Sequence, residues 1–140
     1  MAVRYGCDYV IDPNEVDIVE EVKKLTNGEG ADVVFDTVPM AQVAKTSIQM
    51  LKHAGRCVYY SSIHPDEPIE ISPNFIHNTE IILTGSKSPS IKAFDTSARL
   101  ISKMLVDLRP LLTESYSMEE ADKAFERSLS SDTYRVMVKW

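Results

Sequence analysis

Short runs of consecutive apolar, often β-branched residues alternate along this chain with stretches in which apolar positions recur every three or four residues, the rhythms of strand and helix. Tyr9 to Asp12 is the first such run, and it predicts a strand feeding a helix start at Asp12-Pro13-Asn14-Glu15. Asp12 can accept from the free amide of Glu15, Glu15 can reach back, and Pro13 stands where a helix tolerates a missing donor. Ile18, Val22 and Leu25 then share one helical face, and Asn27-Gly28 ends the helix. Ala31 to Val38 carries an unbroken apolar centre, the pattern of a strand covered on both faces within a parallel sheet.

A second helix is predicted from Ala41 to Lys52, with Val43, Ala44, Ser47, Ile48, Met50 and Leu51 inward and Gly55 supplying the left-handed residue that closes it. Arg56 to Ser61 reads as another buried strand. A proline-rich connection from His64 to Pro73 leads through Asn74-Phe75-Ile76-His77 to a strand from Glu80 to Gly85. Ile91, Phe94, Ala98, Ile101 and Leu105 recur at helical spacing, and Pro110 marks a stop. Ser117-Met118-Glu119-Glu120 has the form of a capping box, opening a helix with Ala121, Phe125 and Leu129 inward, before a last strand from Tyr134 to Val138. The alternation implies right-handed crossovers and an α/β fold, a mainly parallel sheet with helices on both faces.

The length of 140 residues suits one core, and 44% hydrophobic with 26% charged residues is the balance of an ordinary globular protein. With 15 basic against 21 acidic residues, the chain lacks the electrostatic footprint of a partner for nucleic acid or an anionic membrane. Two cysteines, Cys7 and Cys57, are too few for a disulfide framework and fit a cytoplasmic setting. No apolar run approaches the roughly 20 residues of a membrane span.

Several segments, taken in order, carry a resemblance. Tyr5-Gly6-Cys7-Asp8-Tyr9-Val10-Ile11-Asp12 resembles a Gly-Ala-Asp strand entry, and Thr26-Asn27-Gly28-Glu29-Gly30-Ala31-Asp32-Val33-Val34-Phe35-Asp36 a Gly-x-Gly-Ala-Asp turn into a fourth strand. Ala54-Gly55-Arg56-Cys57-Val58 is similar to the turn before a fifth strand, and the stretch from Ile76 to Ser86 to the flanks of a sixth. Leu112 to Ala121, with Ala124-Phe125, resembles a segment returning to a second domain. In that order and spacing they resemble the medium-chain, zinc-type alcohol, sorbitol and threonine dehydrogenase superfamily.

That resemblance implies a partial Rossmann-like, doubly wound sheet in residues 1–106, lacking its first two strands, and a return segment in residues 107–140. It implies a dinucleotide, NAD or NADP, lying over the carboxyl ends of the strands. Thr37 and Val38 would line the ribose region, Ser61, Ser62 and Ile63 would meet the carboxamide, and Ser86 and Ser88 would close the pocket. Arg135 would pair with the pyrophosphate. Pro39 and Ser62 stand where the family usually has glycine.

The cofactor site is nevertheless expected to be incomplete. No three of Gly6, Gly28, Gly30, Gly55 and Gly85 fit the Gly-x-Gly-x-x-Gly turn that seats a pyrophosphate on a helix amino terminus. His53, His64 and His77 share no ligand spacing with the cysteines, so the family's zinc has no ligands here, and no residue of the chain is expected to be catalytic. The expectation is therefore the carboxy-terminal part of a zinc-dependent, NAD(P)-linked enzyme that moves hydride between a small secondary alcohol or polyol and nicotinamide, inactive alone. A non-catalytic Rossmann-like module for oligomerisation or partner binding is the alternative. A receiver-like or flavodoxin-like domain is disfavoured by the lack of an acidic cluster after the first strand. The resemblance also implies a homo-oligomer paired through the Glu80 to Thr84 strand, and unpaired edges that self-associate or re-pair the first strand.

Overall fold

The computed structural model describes residues 2–130 and 132–140. The chain forms two compact units, one ending at Ser88 and the other beginning at Pro89. The first holds α1 (Ile18–Leu25), β1 (Ala31–Asp36), α2 (Ala41–Gln49), β2 (Leu51–Tyr59), α3 (Pro73–Thr79) and β3 (Ile82–Gly85). The second holds α4 (Ile91–Ser102), β4 (Leu112–Ser117), α5 (Ala121–Ser128) and β5 (Arg135–Lys139).

Every strand pair is parallel, as the alternation of elements demands. In the first unit the order is β1-β2-β3, with Val34 opposite Cys57, Asp36 opposite Tyr59, and Tyr59 opposite Gly85. Because successive strand residues point to opposite faces, Val34, Asp36, Cys57 and Tyr59 share one side of the sheet. Helix α2 packs there through Ala41, Ala44, Ser47 and Ile48, all buried. The Tyr59 hydroxyl donates to the Ala44 carbonyl at 3.2 Å and fixes the helix to the sheet. Cys57 is fully buried at the centre.

The opposite side of the same strands is open. Val33 is 47% and Phe35 69% exposed, with Ile82 of β3 also largely in water. The expectation that this strand is covered on both faces therefore holds for one face only. Tyr9 to Asp12 forms no strand, because no described strand lies beside it to take up its backbone groups; Tyr9 and Val10 are exposed.

The first helix begins later than its capping signal suggests. Asp12 closes a local turn, accepting the Asn14 amide at 2.9 Å, while Asp17 caps α1 by accepting the amides of Val19 and Glu20. Helix α2 ends at Gln49 rather than Lys52, since Leu51 is already paired with Ala31 in the sheet. The left-handed residue is Ala54, at φ 57°, within β2 where the strand register shifts; Gly55 is not left-handed and is buried. Asn74 to Asn78 lies in α3, not in an extended lead-in, and Glu80 is the left-handed cap that ends it. The following strand accordingly starts at Ile82 rather than Glu80.

In the second unit, β4 and β5 pair in parallel, with Glu114 opposite Val136 and Tyr116 opposite Val138. Helix α5 lies on them through Ala124. Phe125 (74% exposed) and Leu129 (88%) were expected inward; the less exposed positions of the helix are instead Ala121, Ala124 and Arg127, at i, i+3 and i+6. Arg127 is drawn to that side by charge, donating to Glu114 at 2.7 Å and to both oxygens of Asp132 at 2.8 and 2.9 Å. Ser117 was expected to cap this helix; a 3-10 turn at Met118–Glu120 comes first, and Ser117 makes no capping bond. The apolar face of α4 (Ile91, Phe94, Ile101) is exposed.

Candidate functional site

The carboxyl ends of β1, β2 and β3 lie along one rim, which follows from a parallel register that sets Asp36, Tyr59 and Gly85 side by side. Three hydrogen bonds stitch the chain just past those ends. The Tyr60 amide donates to the Asp36 carbonyl at 2.9 Å, the Ser86 amide to the Tyr59 carbonyl at 3.0 Å, and the Ser61 hydroxyl to the Thr37 carbonyl at 2.6 Å. Sequence separations of 24 residues and more are thereby closed to contact distance.

The Thr37 turn is shaped further from within. Asp36 is buried, 4% exposed, and its Oδ1 accepts the Val38 amide at 3.0 Å while its Oδ2 accepts from the Ser47 hydroxyl at 3.3 Å. The Met40 amide donates to the Val38 carbonyl at 2.9 Å across Pro39. Burial pushes the Cys57 thiol and the Tyr59 phenol above their usual ranges, and the Asp36 carboxylate adds to both shifts. Both groups remain protonated at neutral pH, so neither is a ready base or nucleophile.

Of the residues named from the sequence, the structure brings Thr37, Val38, Ser61 and Ser86 together on this rim. Ser62 and Ile63 continue the loop that leaves β2, Ser62 exposed and Ile63 half-buried. Ser88 follows Ser86 at a left-handed φ of 57°. Arg135 belongs to the second unit, where it opens β5 with its guanidinium donating to the Tyr134 carbonyl at 3.1 Å. Asp36, which ties the rim together, escaped sequence reasoning. Its signal was an acid closing an apolar strand two residues before an amide it could accept.

The far end of the sheet explains the glycines. The Gly28 amide donates to the Lys23 carbonyl at 2.7 Å and closes α1, and Gly30, at φ 97°, lets the turn before β1 press on the backbone of Met50 and Leu51. They serve a turn at the amino end of β1, away from the rim, and form no phosphate loop. Chemically the rim offers hydroxyls and backbone groups that can grip a polar ligand. Among the described residues no three His, Cys, Asp or Glu side chains stand together as a group that could hold a metal ion. Nor is any helix there long and apolar enough to cross a membrane.

A family model described as zinc-binding dehydrogenase matches residues 1–103. A sorbitol dehydrogenase of Halalkalibacterium halodurans is 34% identical over 98% of this chain and 40% of its own length. An (R,R)-butanediol dehydrogenase of Neisseria gonorrhoeae is 30% identical over 94% of this chain and 36% of its own. Among solved structures, the benzyl alcohol dehydrogenase of Acinetobacter calcoaceticus aligns with a TM-score of 0.87 at 19% identity, over 99% of this chain and 38% of that one. A Sinorhizobium meliloti protein assigned to the zinc-binding dehydrogenases and bound to NADP aligns at 0.88 and 23%, over 98% and 40%. The chain thus spans about two fifths of the length of these relatives.

Proposed function

The chain belongs to the zinc-binding dehydrogenase family, and from that premise we propose that it is the carboxy-terminal part of an NAD(P)-linked alcohol or polyol dehydrogenase. The observation that carries this reading is the rim. Open α/β sheets take ligands over the carboxyl ends of parallel strands, and here three such ends meet with hydroxyl and backbone groups outermost. Thr37 and Val38 would line the ribose region, Ser61, Ser62 and Ile63 would meet the carboxamide, and Ser86 and Ser88 would close the pocket. Bound there, the dinucleotide would accept the hydride that a secondary alcohol carbon gives up as its hydroxyl proton leaves. This chain's share of the work would be to orient the dinucleotide and to exclude water, since the rim carboxylate of Asp36 is buried and already bonded to the Val38 amide and the Ser47 hydroxyl.

Residues 1–106 would then be dinucleotide-binding and residues 107–140 the return toward the catalytic domain, with the enzyme cytoplasmic. The outer edge of β3 would pair with a second copy. The chain alone would bind NAD(H) or NADP(H) weakly and would not turn over.

The test is a fusion placing this chain after the preceding portion of the Halalkalibacterium halodurans sorbitol dehydrogenase, assayed for NAD- or NADP-dependent oxidation of sorbitol and 2,3-butanediol. Dinucleotide reduction by the fusion, and none by the 140-residue chain, is expected. A folded fusion that neither binds nor reduces either dinucleotide would overturn the proposal.

A further inference from the structure

We propose that Asp36 is a positioning residue whose carboxylate holds the Thr37-Val38 turn in the shape it presents to the dinucleotide; the last clause rests on the function proposed above. The carboxylate is not itself placed to touch a ligand. It is 4% exposed, and each oxygen has a protein partner: the Val38 amide on Oδ1 and the Ser47 hydroxyl on Oδ2.

What those two bonds join decides the role. The first sets the backbone two residues ahead, the reach of an aspartate and not of the longer glutamate. The second anchors the same carboxylate to α2 through Ser47, which is 2% exposed and fixed in the helix. Strand end, turn and helix are thereby locked through one side chain. Pro39 can give no amide to the turn, so its remaining bonds are Met40 to the Val38 carbonyl and Ser61 to the Thr37 carbonyl. Without the Asp36 acceptor, the Val38 amide has nothing to fix it, and the adjoining Thr37 carbonyl loses its aim toward Ser61.

Hydrogen exchange of the intact chain reads this directly. Asp36→Asn keeps a side-chain oxygen for Val38, Asp36→Ala removes it, and Ser47→Ala removes only the helix anchor. In Asp36→Ala the Val38 amide should exchange about tenfold faster than in the parent, the loss of one charged hydrogen bond, with Asp36→Asn within about threefold of the parent. Ser47→Ala should speed it severalfold. Unchanged Val38 exchange in folded Asp36→Ala, or Asp36→Asn as fast as Asp36→Ala, overturns the proposal. Where circular dichroism shows that Asp36→Ala does not fold, Ser47→Ala decides, and an unaltered Val38 amide in it overturns the proposal too.

In the sorbitol dehydrogenase fusion, Asp36→Ala should raise KM for the dinucleotide about tenfold with kcat changed about twofold or less, and Asp36→Asn should restore the parent value. Equal losses in kcat and none in KM would contradict a positioning role. A fusion inactive with Asp36 in place removes the dinucleotide reading, while Val38 exchange still decides whether Asp36 sets the turn.

Discussion

Gly30 shows how little room single residues have in the turn before β1. A Cβ there would lie 2.8 Å from the Met50 carbonyl oxygen and 2.9 Å from the Leu51 carbonyl carbon, at a φ of 97°. Gly30→Ala should therefore lower stability by about 2 kcal/mol or more, combining backbone strain with a clash against main chain that cannot step aside; a urea midpoint equal to the parent's would contradict this. Two titrating groups bear on the pH dependence of stability. The Tyr59 phenol, raised by burial, contributes stability that is complete below pH 10 and is lost as pH climbs toward its folded value. Tyr59→Phe should flatten the alkaline limb of the denaturation midpoint above pH 10, at the cost of the bond to Ala44. Asp132 runs the other way: Arg127 first, then Ser130, holds its carboxylate below the usual range. Its contribution is present above pH 4 and fades as acid drives it below, so Arg127→Met should shrink the stability lost between pH 4 and pH 2. At this scale the sequence disclosed the rim residues at strand ends. It hid Asp36, because one acid inside an apolar run looks the same whether it faces water or a helix.

The elements were legible wherever rhythm and neighbours agree. Ala31 to Asp36, Ala41 to Gln49 and the Arg56 to Tyr59 part of β2 combine strong periodicity with partners that use it. Failures mark places where one of the two is missing. Tyr9 to Asp12 has strand composition and no adjoining strand, while α3 carries Asn74, His77 and Asn78, which blur any apolar stripe. Strand β4, which went unforeseen, reads Leu-Thr-Glu-Ser-Tyr-Ser, polar at most positions, and exists because β5 lies beside it. Caps separate more sharply. Asp17 satisfies two free amides of α1 and Asp12 none of them, so Asp17→Ala should cost about 1 kcal/mol and Asp12→Ala clearly less; the reverse order by thermal melting would restore the earlier cap. Edges belong to this scale as well. With β3 outermost in its sheet, static light scattering at rising concentration should approach twice the chain mass of 15.7 kDa, and a constant monomer mass would count against pairing through that strand.

For the molecule as a whole, burial is modest. The apolar core comprises Ala41, Ala44, Ile48, Cys57, Ile81 and Ala124 among the described residues, most of them in a single layer between α2 and the sheet. Denaturant sensitivity scales with surface uncovered on unfolding, so a shallow slope is expected for the length. The open side of the three-stranded sheet has a practical consequence. Water around Val33, Phe35 and Ile82 is a standing penalty that sulfate enlarges and mild alcohol relieves. Purified alone, the chain should cling to a phenyl resin in ammonium sulfate, light up an apolar dye while still natively folded, and lose both habits once a helix or partner domain is supplied to lie across those three side chains.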